Sequence, residues 1–352
     1  MKSEILQETI QKLFTDNKGI LAADESINSI NKRFEALGIP QTTENHLVFR
    51  RVLLETPDIS SYISGVIFHD ETFRQEIETG KTFVQYCKEK GIVPGIKVDE
   101  GLSDIPNFPD EKMTLGIDHL KPRLQEYFDL GARFCKWRVV IDVKKSTEEI
   151  VELNLRNLAI YASTAQEIGL IPIVEPEVLY DGVHTIHECY DKMSHVITHL
   201  FGDLSLYKVD IRYVVLKTAM VLSGKQFVDK STPEDIAEKT SMILMSTIPE
   251  NIGGVVFLSG GQTPIESTLN LCNIVKKGPY RFPLTYSYSR ALQDPVLKAF
   301  SEDMMAIEKI QNIFIDRLNM NTLALKGEYD LSKETGLSSN INQETVTHSQ
   351  DL

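Results

Sequence analysis

Cysteine is scarce in this chain and poorly placed for cross-linking. Only four of the 352 residues are cysteine, Cys87, Cys135, Cys189 and Cys272. They are far apart and form no CxxC pair, which argues against a disulfide framework or a zinc ribbon. Cys135 and Cys272 lie in apolar stretches and read as small core residues. No apolar run approaches the roughly 18 residues of a membrane span, and the first ten residues are polar and acidic, unlike a secretory signal. Positive charge is also in deficit. The 37 Lys and Arg residues face 50 Asp and Glu, a net charge of −13, which argues against nonspecific binding to nucleic acid or an anionic membrane. A soluble, cytoplasmic, globular protein is expected.

What is present is a repeated alternation. Short apolar runs occur at Gly19-Ile-Leu-Ala-Ala, Gly65-Val-Ile-Phe, Ile92-Val-Pro-Gly-Ile-Lys-Val, Phe134-Cys-Lys-Trp-Arg-Val-Val-Ile, Ile171-Pro-Ile-Val-Glu, Tyr213-Val-Val-Leu-Lys, Gly254-Val-Val-Phe-Leu-Ser and Leu284-Thr-Tyr-Ser-Tyr. Each is followed by a longer amphipathic stretch, the spacing of a strand and its crossover helix. Near-continuous apolarity marks strands covered on both faces, as in parallel sheets. Eight units predict an α/β fold of the (β/α)8 TIM-barrel type in a single domain, with an open doubly wound sheet as the fallback. Ser146-Thr-Glu-Glu and Ser231-Thr-Pro-Glu-Asp read as helix starts. Residues 1–330 are expected to form the barrel. Residues 331–352, rich in Ser, Asn, Gln and Thr, are expected to form a flexible tail.

Three lysines interrupt or end these runs: Lys97, Lys136 and Lys217. Lysine is seldom fully buried without a partner, and burial or a nearby cation favours its neutral form, a nucleophile toward carbonyl carbon. In a barrel the C-terminal strand ends form the active-site mouth. Those ends supply Asp24, Lys97, Lys136, Glu175, Lys217, Ser259 and Arg290, and only the run ending near Phe68 supplies nothing. Crowded ammonium groups are expected to depress one another's pKa, with the carboxylates moving protons. Glu175 and Glu177 share a direction in a strand, and close like charges are expected to raise one pKa. Each residue also has a plainer reading: Lys217 as a strand-end lysine reaching solvent, the glutamates as an acidic exit to a loop. Ser259-Gly-Gly-Gln is a short cradle for an anion, and Arg290 follows the last strand, where barrel phosphate sites are often built. His184/His187 and His195/His199 have metal-ligand spacings but fall on one expected crossover helix, so a solvated helix face is the favoured reading and no metal is expected.

As a set these segments resemble the class I, Schiff-base-forming fructose-bisphosphate aldolases. Gly19-Ile-Leu-Ala-Ala-Asp-Glu-Ser, Gly95-Ile-Lys-Val-Asp, Lys136-Trp-Arg, Pro172-Ile-Val-Glu-Pro-Glu, Leu216-Lys, Phe257-Leu-Ser-Gly-Gly-Gln and Ser287-Tyr-Ser-Arg-Ala-Leu-Gln occur in the family's order over roughly residues 5 to 330. The resemblance implies a glycolytic and gluconeogenic lyase that reversibly cleaves fructose 1,6-bisphosphate to dihydroxyacetone phosphate and glyceraldehyde 3-phosphate, without cofactor or metal. It implies Lys217 as the Schiff-base lysine, Glu175 as proton shuttle supported by Glu177, Asp24 as base toward the C4 hydroxyl, and Lys136 as the charge that helps keep Lys217 unprotonated. Ser259, Gly260, Gly261, Ser287 and Arg290 would grip the C1 phosphate. Lys97, Ser26, Ser29 and Arg33 would lie toward the other phosphate, with Arg138 nearby. A homo-oligomer, a tetramer in the family, is expected. Departures are Thr218-Ala after Lys217, Ile27-Asn after Ser26, Ser289 in place of a usual glycine, and no tyrosine beyond Tyr329. Rival readings are an aldolase of this class for tagatose or sedoheptulose bisphosphate, and a non-catalytic scaffold barrel.

Overall fold

A computed structural model describes residues 2–15, 17–78 and 80–334. Eight strands form a closed, all-parallel barrel: β1 Gly19–Ala23, β2 Ile63–Phe68, β3 Val93–Lys97, β4 Phe134–Ile141, β5 Ile171–Val178, β6 Val215–Thr218, β7 Gly254–Phe257 and β8 Leu284–Tyr288. The barrel closes where β8 pairs with β1, Ile20 opposite Ser287. Every expected run holds a strand, so the (β/α)8 fold is as read. The run from Tyr213 is trimmed at its start, because Ile211–Tyr213 forms a 3-10 turn before β6 begins.

The outer faces of the strands pack on crossover helices in one large cluster, with Phe68, Trp137, Leu216 and Phe257 against Leu53, Leu158, Leu200 and Leu271. Strands buried on both faces need no polar alternation, which is why their sequence reads as continuous runs. Helix signals behave as expected at Pro233–Thr247. There Thr232 caps the N-terminus, Pro233 occupies the first turn, and Asp235 completes a capping box. The other helix begins at Glu148, one residue later than Ser146 suggested, because Thr147 is its cap residue.

Inside the barrel a second cluster joins Ile20, Ala22, Ile67, Val93, Phe134, Ile171, Ile173, Val215 and Val256 to Leu6, Ile10 and Leu13 of the N-terminal helix Lys2–Leu13. That helix plugs the N-terminal end of the barrel. Gly95 makes the layer possible, since a Cβ there would lie 2.3 Å from the Phe134 ring. Alternation then carries each inward series from apolar to charged: Ile20, Ala22, Asp24; Val93, Gly95, Lys97; Phe134, Lys136, Arg138; Ile171, Ile173, Glu175, Glu177; Val215, Lys217. The interior beside the plug helix is apolar, and the inward-facing charges gather at the other end.

Near the end of the described residues Leu331–Lys333 forms a 3-10 turn. Glu334 accepts hydrogen bonds from buried Arg317 at 2.5 Å and Tyr329 at 2.8 Å. Of the expected tail, residues 335–352 lie outside the described residues.

Candidate active site

The charged ends of these series line a pocket of about 440 Å³ at the C-terminal mouth. It contains Asp24, Ser26, Ser29, Arg33, Lys97, Lys136, Arg138, Glu175, Glu177, Lys217, Ser259, Gly260, Ser287 and Arg290. Gly261 stands behind Arg290, where a Cβ would come 3.4 Å from the guanidinium. A larger cavity of about 640 Å³ opens at the plugged end beside Lys12, Lys18, Lys88 and Arg133. It holds none of the strand-end residues, so the chemistry belongs to the smaller pocket.

At its centre the Glu175 carboxylate lies between two lysines. Its Oε1 is 3.1 Å from Lys217 Nζ, and its Oε2 is 3.2 Å from Lys136 Nζ. Lys136 also binds Asp24 at 2.6 Å. Lys136 and Lys217 are each 4% exposed and Glu175 3%. Cross-strand register sets this geometry: Lys136 pairs with Lys97 on one side, and Arg138 with Glu175 on the other. Glu175 Oε2 is fully enclosed and meets Lys136 as an ion pair outside hydrogen-bond geometry.

The electrostatics correct one expectation. Crowding does not depress Lys136. Burial alone would lower its pKa, but Asp24, Glu175 and Asp99 outweigh that effect and hold it well above the ordinary lysine value. Lys136 is therefore a fixed cation. Asp24 responds in kind: burial pushes its carboxyl up, and Lys136, Lys217 and Lys97 together hold it well below the usual range. Glu177 is not the raised member of a carboxylate pair either. Burial would raise it, but its ion pair with Arg138 keeps it low. Each of these carboxylates lies against a lysine or arginine of another strand, so opposite charges rather than like ones meet.

Around this core stand the groups suited to anions. Ser259 is followed by Gly260 at φ +59° and Gly261 at φ +89°, a left-handed turn that only glycine enters cheaply and that exposes backbone N–H groups. Arg290 opens helix Arg290–Glu302 and forms no ion pair with a described residue. Ser26 caps helix Ile27–Ala36, its Oγ accepting from Ser29 N at 3.3 Å. Two helix N-termini therefore face the mouth, each favouring negative charge. Lys97 is held by Asp99 at 2.6 Å. Arg33 reaches Glu25 and, at 2.8 Å, Asp294 on the Arg290 helix, so it bridges the end of β1 and that helix.

Several neighbours escaped the sequence reading. Lys32 and Glu25 also line the pocket, together with Ser289, which the sequence marked only as a departure. Glu25 is the hub of a buried ring: it accepts from Arg50 at 2.6 Å and from Ser289 Oγ at 2.8 Å. Gln293 closes the ring with Arg50 at 3.1 Å and donates to Ala22 O at 2.7 Å. No local motif announces this ring, because its members come from three separate segments. His69 was legible: it is two residues past inward-facing Ile67, and its imidazole, lowered first by burial and then by Lys97, feels Asp24 as well. Of the histidine pairs, His184 precedes helix Ile186–Leu206 and is buried with Nε2 unpartnered, whereas His187, His195 and His199 lie on it.

A closed parallel barrel with a buried lysine–carboxylate constellation at its C-terminal mouth is the arrangement of a (β/α)8-barrel enzyme. The matching family model narrows this: residues 5–349 fit the class-I fructose-bisphosphate aldolase model of glycolysis, and the chain belongs to that family. It is a carbon–carbon lyase. The "Probable fructose-bisphosphate aldolase class 1" of Xanthomonas campestris pv. campestris is 44% identical over 332 residues, 94% of this chain and 99% of the relative. The "Fructose-bisphosphate aldolase" of Plasmodium falciparum is 40% identical over 331 residues, 93% and 90% of the two chains. A solved structure of the P. falciparum enzyme, in complex with TRAP and a small-molecule inhibitor, superposes with a TM-score of 0.91, covering 94% of this chain and 96% of that one. No helix among the described residues is long and apolar enough to cross a membrane.

Proposed function

We propose that this lyase cleaves fructose 1,6-bisphosphate through a Schiff base on Lys217. The observation that carries the assignment is the carboxylate of Glu175 held between Lys217 and the fixed cation Lys136 in a closed pocket. Lys217, unprotonated, attacks the C2 carbonyl. Glu175 delivers the proton with which the carbinolamine oxygen leaves as water, and a protonated imine remains. That imine accepts the electron pair when the C3–C4 bond breaks, while Asp24 takes the C4-hydroxyl proton and the aldehyde departs. The resulting enamine is protonated at C3, and hydrolysis of the imine releases dihydroxyacetone phosphate and the free lysine.

Lys136 supplies positive charge beside the reacting carbon without spending a proton, and competes with Lys217 for Glu175. Glu177 stays ionised against Arg138 and orients that side of the pocket. Ser259, Gly260, Gly261, Ser287 and Arg290 take the C1 phosphate. Ser26 and Ser29, with Lys97, take the second, Arg33 serving whichever anion lies nearer. Phosphate grips at both ends use binding energy remote from the scissile bond to hold it in register. Family resemblance supports a homotetrameric, cytoplasmic enzyme, and light scattering on the purified chain checks the tetramer. Lys217→Ala should reduce cleavage of fructose 1,6-bisphosphate to background with the circular dichroism spectrum unchanged. Cleavage persisting in that variant refutes the Lys217 mechanism.

A further inference from the structure

A second cluster of donor side chains lies on the outer layer, away from the pocket. His195 and His199 are one turn apart on helix Ile186–Leu206, with ring centroids 4.0 Å apart. Glu148, the first residue of the neighbouring helix Glu148–Ile168, places Oε1 2.6 Å from His195 Nε2 and 3.7 Å from His199 Nδ1. The three donor atoms lie within 4.8 Å of one another, and no other trio of His, Cys, Asp or Glu among the described residues does so. None of the three lines the active pocket. Beside them an open groove of about 310 Å³ is lined by Glu152, Arg156, His199 and Asp203. Arg156 in that groove is taken by Glu152 at 3.0 Å, and Lys144 by Glu188.

We propose that Glu148, His195 and His199 form a site for a divalent transition-metal ion of the zinc class, with water from the groove as the remaining ligand. Two imidazoles and a carboxylate are a zinc donor set, and tetrahedral bonds of about 2.0–2.2 Å put ligand atoms about 3.3 Å apart. The observed 2.6 and 3.7 Å separations bracket that figure, so small side-chain rotations suffice. The nitrogen donors disfavour magnesium and calcium, which take oxygen ligands. Bound here, the ion ties together the two crossover helices that follow β4 and β5. It fastens the outer layer and takes no part in carbon–carbon cleavage.

The test is calorimetric titration of ZnCl2 into the full-length chain, stripped with EDTA and desalted. One zinc should bind per chain. Saturating zinc should raise the melting temperature, because the ion binds the folded state, while aldolase activity stays unchanged. His195→Ala and His199→Ala should each weaken the binding by roughly tenfold or more and remove the thermal shift. His187→Ala, exposed on the same helix, should do neither. Absence of stoichiometric binding, or binding unaltered in both His195→Ala and His199→Ala, would overturn the proposal. All three variants lie outside the pocket, so their cleavage activity monitors the fold, and the Lys217 assignment stands or falls separately.

Discussion

Lys136 is the residue on which the site's charge balance turns. It touches Asp24 and Glu175 and sits in register with Lys97, so its cation neutralises carboxylates that have little water around them. Removing one partner of a buried ion pair typically costs about 3–5 kcal/mol. Lys136→Met should therefore lower the unfolding free energy by about that amount as well as abolish cleavage, which urea denaturation and an activity assay read separately. The pH dependence follows from the same contacts. Asp24 has a native carboxyl pKa well below its unfolded value of about 3.9. Its contribution to stability is thus complete above about pH 4 and fades as pH falls further toward the native pKa. Lys136 has the opposite sign: its raised pKa contributes fully below about pH 10.4 and is lost only as pH rises through the higher native value. Unfolding free energy measured against pH should show a gap between wild type and Asp24→Asn that is constant through neutrality and closes in acid. A gap that widens in acid contradicts the assignment of Asp24 as the low-pKa member.

At the scale of elements, the site is a consequence of strand alternation. Five strands carry an inward series that starts apolar against the plug helix and ends charged at the mouth, so one period places lysines and carboxylates from different strands in a single pocket. This part was legible: Lys97, Lys136, Glu175 and Lys217 each interrupt or end a run that is mostly apolar. The parity that places them also places His69, which the reading of β2 overlooked. Pairing was not legible. Which carboxylate meets which lysine depends on register and barrel closure, and at Lys136 the expected depression gave way to ion pairing. The Glu25–Arg50–Ser289–Gln293 ring was hidden for the same reason, since it joins residues up to 268 positions apart in sequence, from Glu25 to Gln293. It connects the end of β1 to the start of the Arg290 helix. Arg50→Met should leave the reacting groups in place but loosen both anion-binding helix ends. The expected result is a roughly ten- to hundredfold fall in kcat/KM, carried mainly by KM, and kinetics with the bisphosphate substrate measure it. A fall confined to kcat would place Arg50 in the chemical step instead.

For the whole molecule, a net charge of −13 coexists with a pocket in which Lys32, Arg33, Lys97, Lys136, Arg138, Lys217 and Arg290 converge. Such a concentration of cations in one concave mouth steers and holds an anionic sugar phosphate while the remaining surface repels other polyanions. In the proposed mechanism the three strand-end lysines have separate tasks: Lys217 the covalent bond, Lys136 the fixed charge beside it, and Lys97 the distal anion. The most direct measurement is chemical trapping. The protein is incubated with dihydroxyacetone phosphate, reduced with borohydride, digested and mapped by mass spectrometry. The account predicts one reduced adduct, on Lys217, and its loss in Lys217→Ala. An adduct on Lys136, Lys97 or any other lysine, or no adduct in an enzyme that still cleaves, would contradict it.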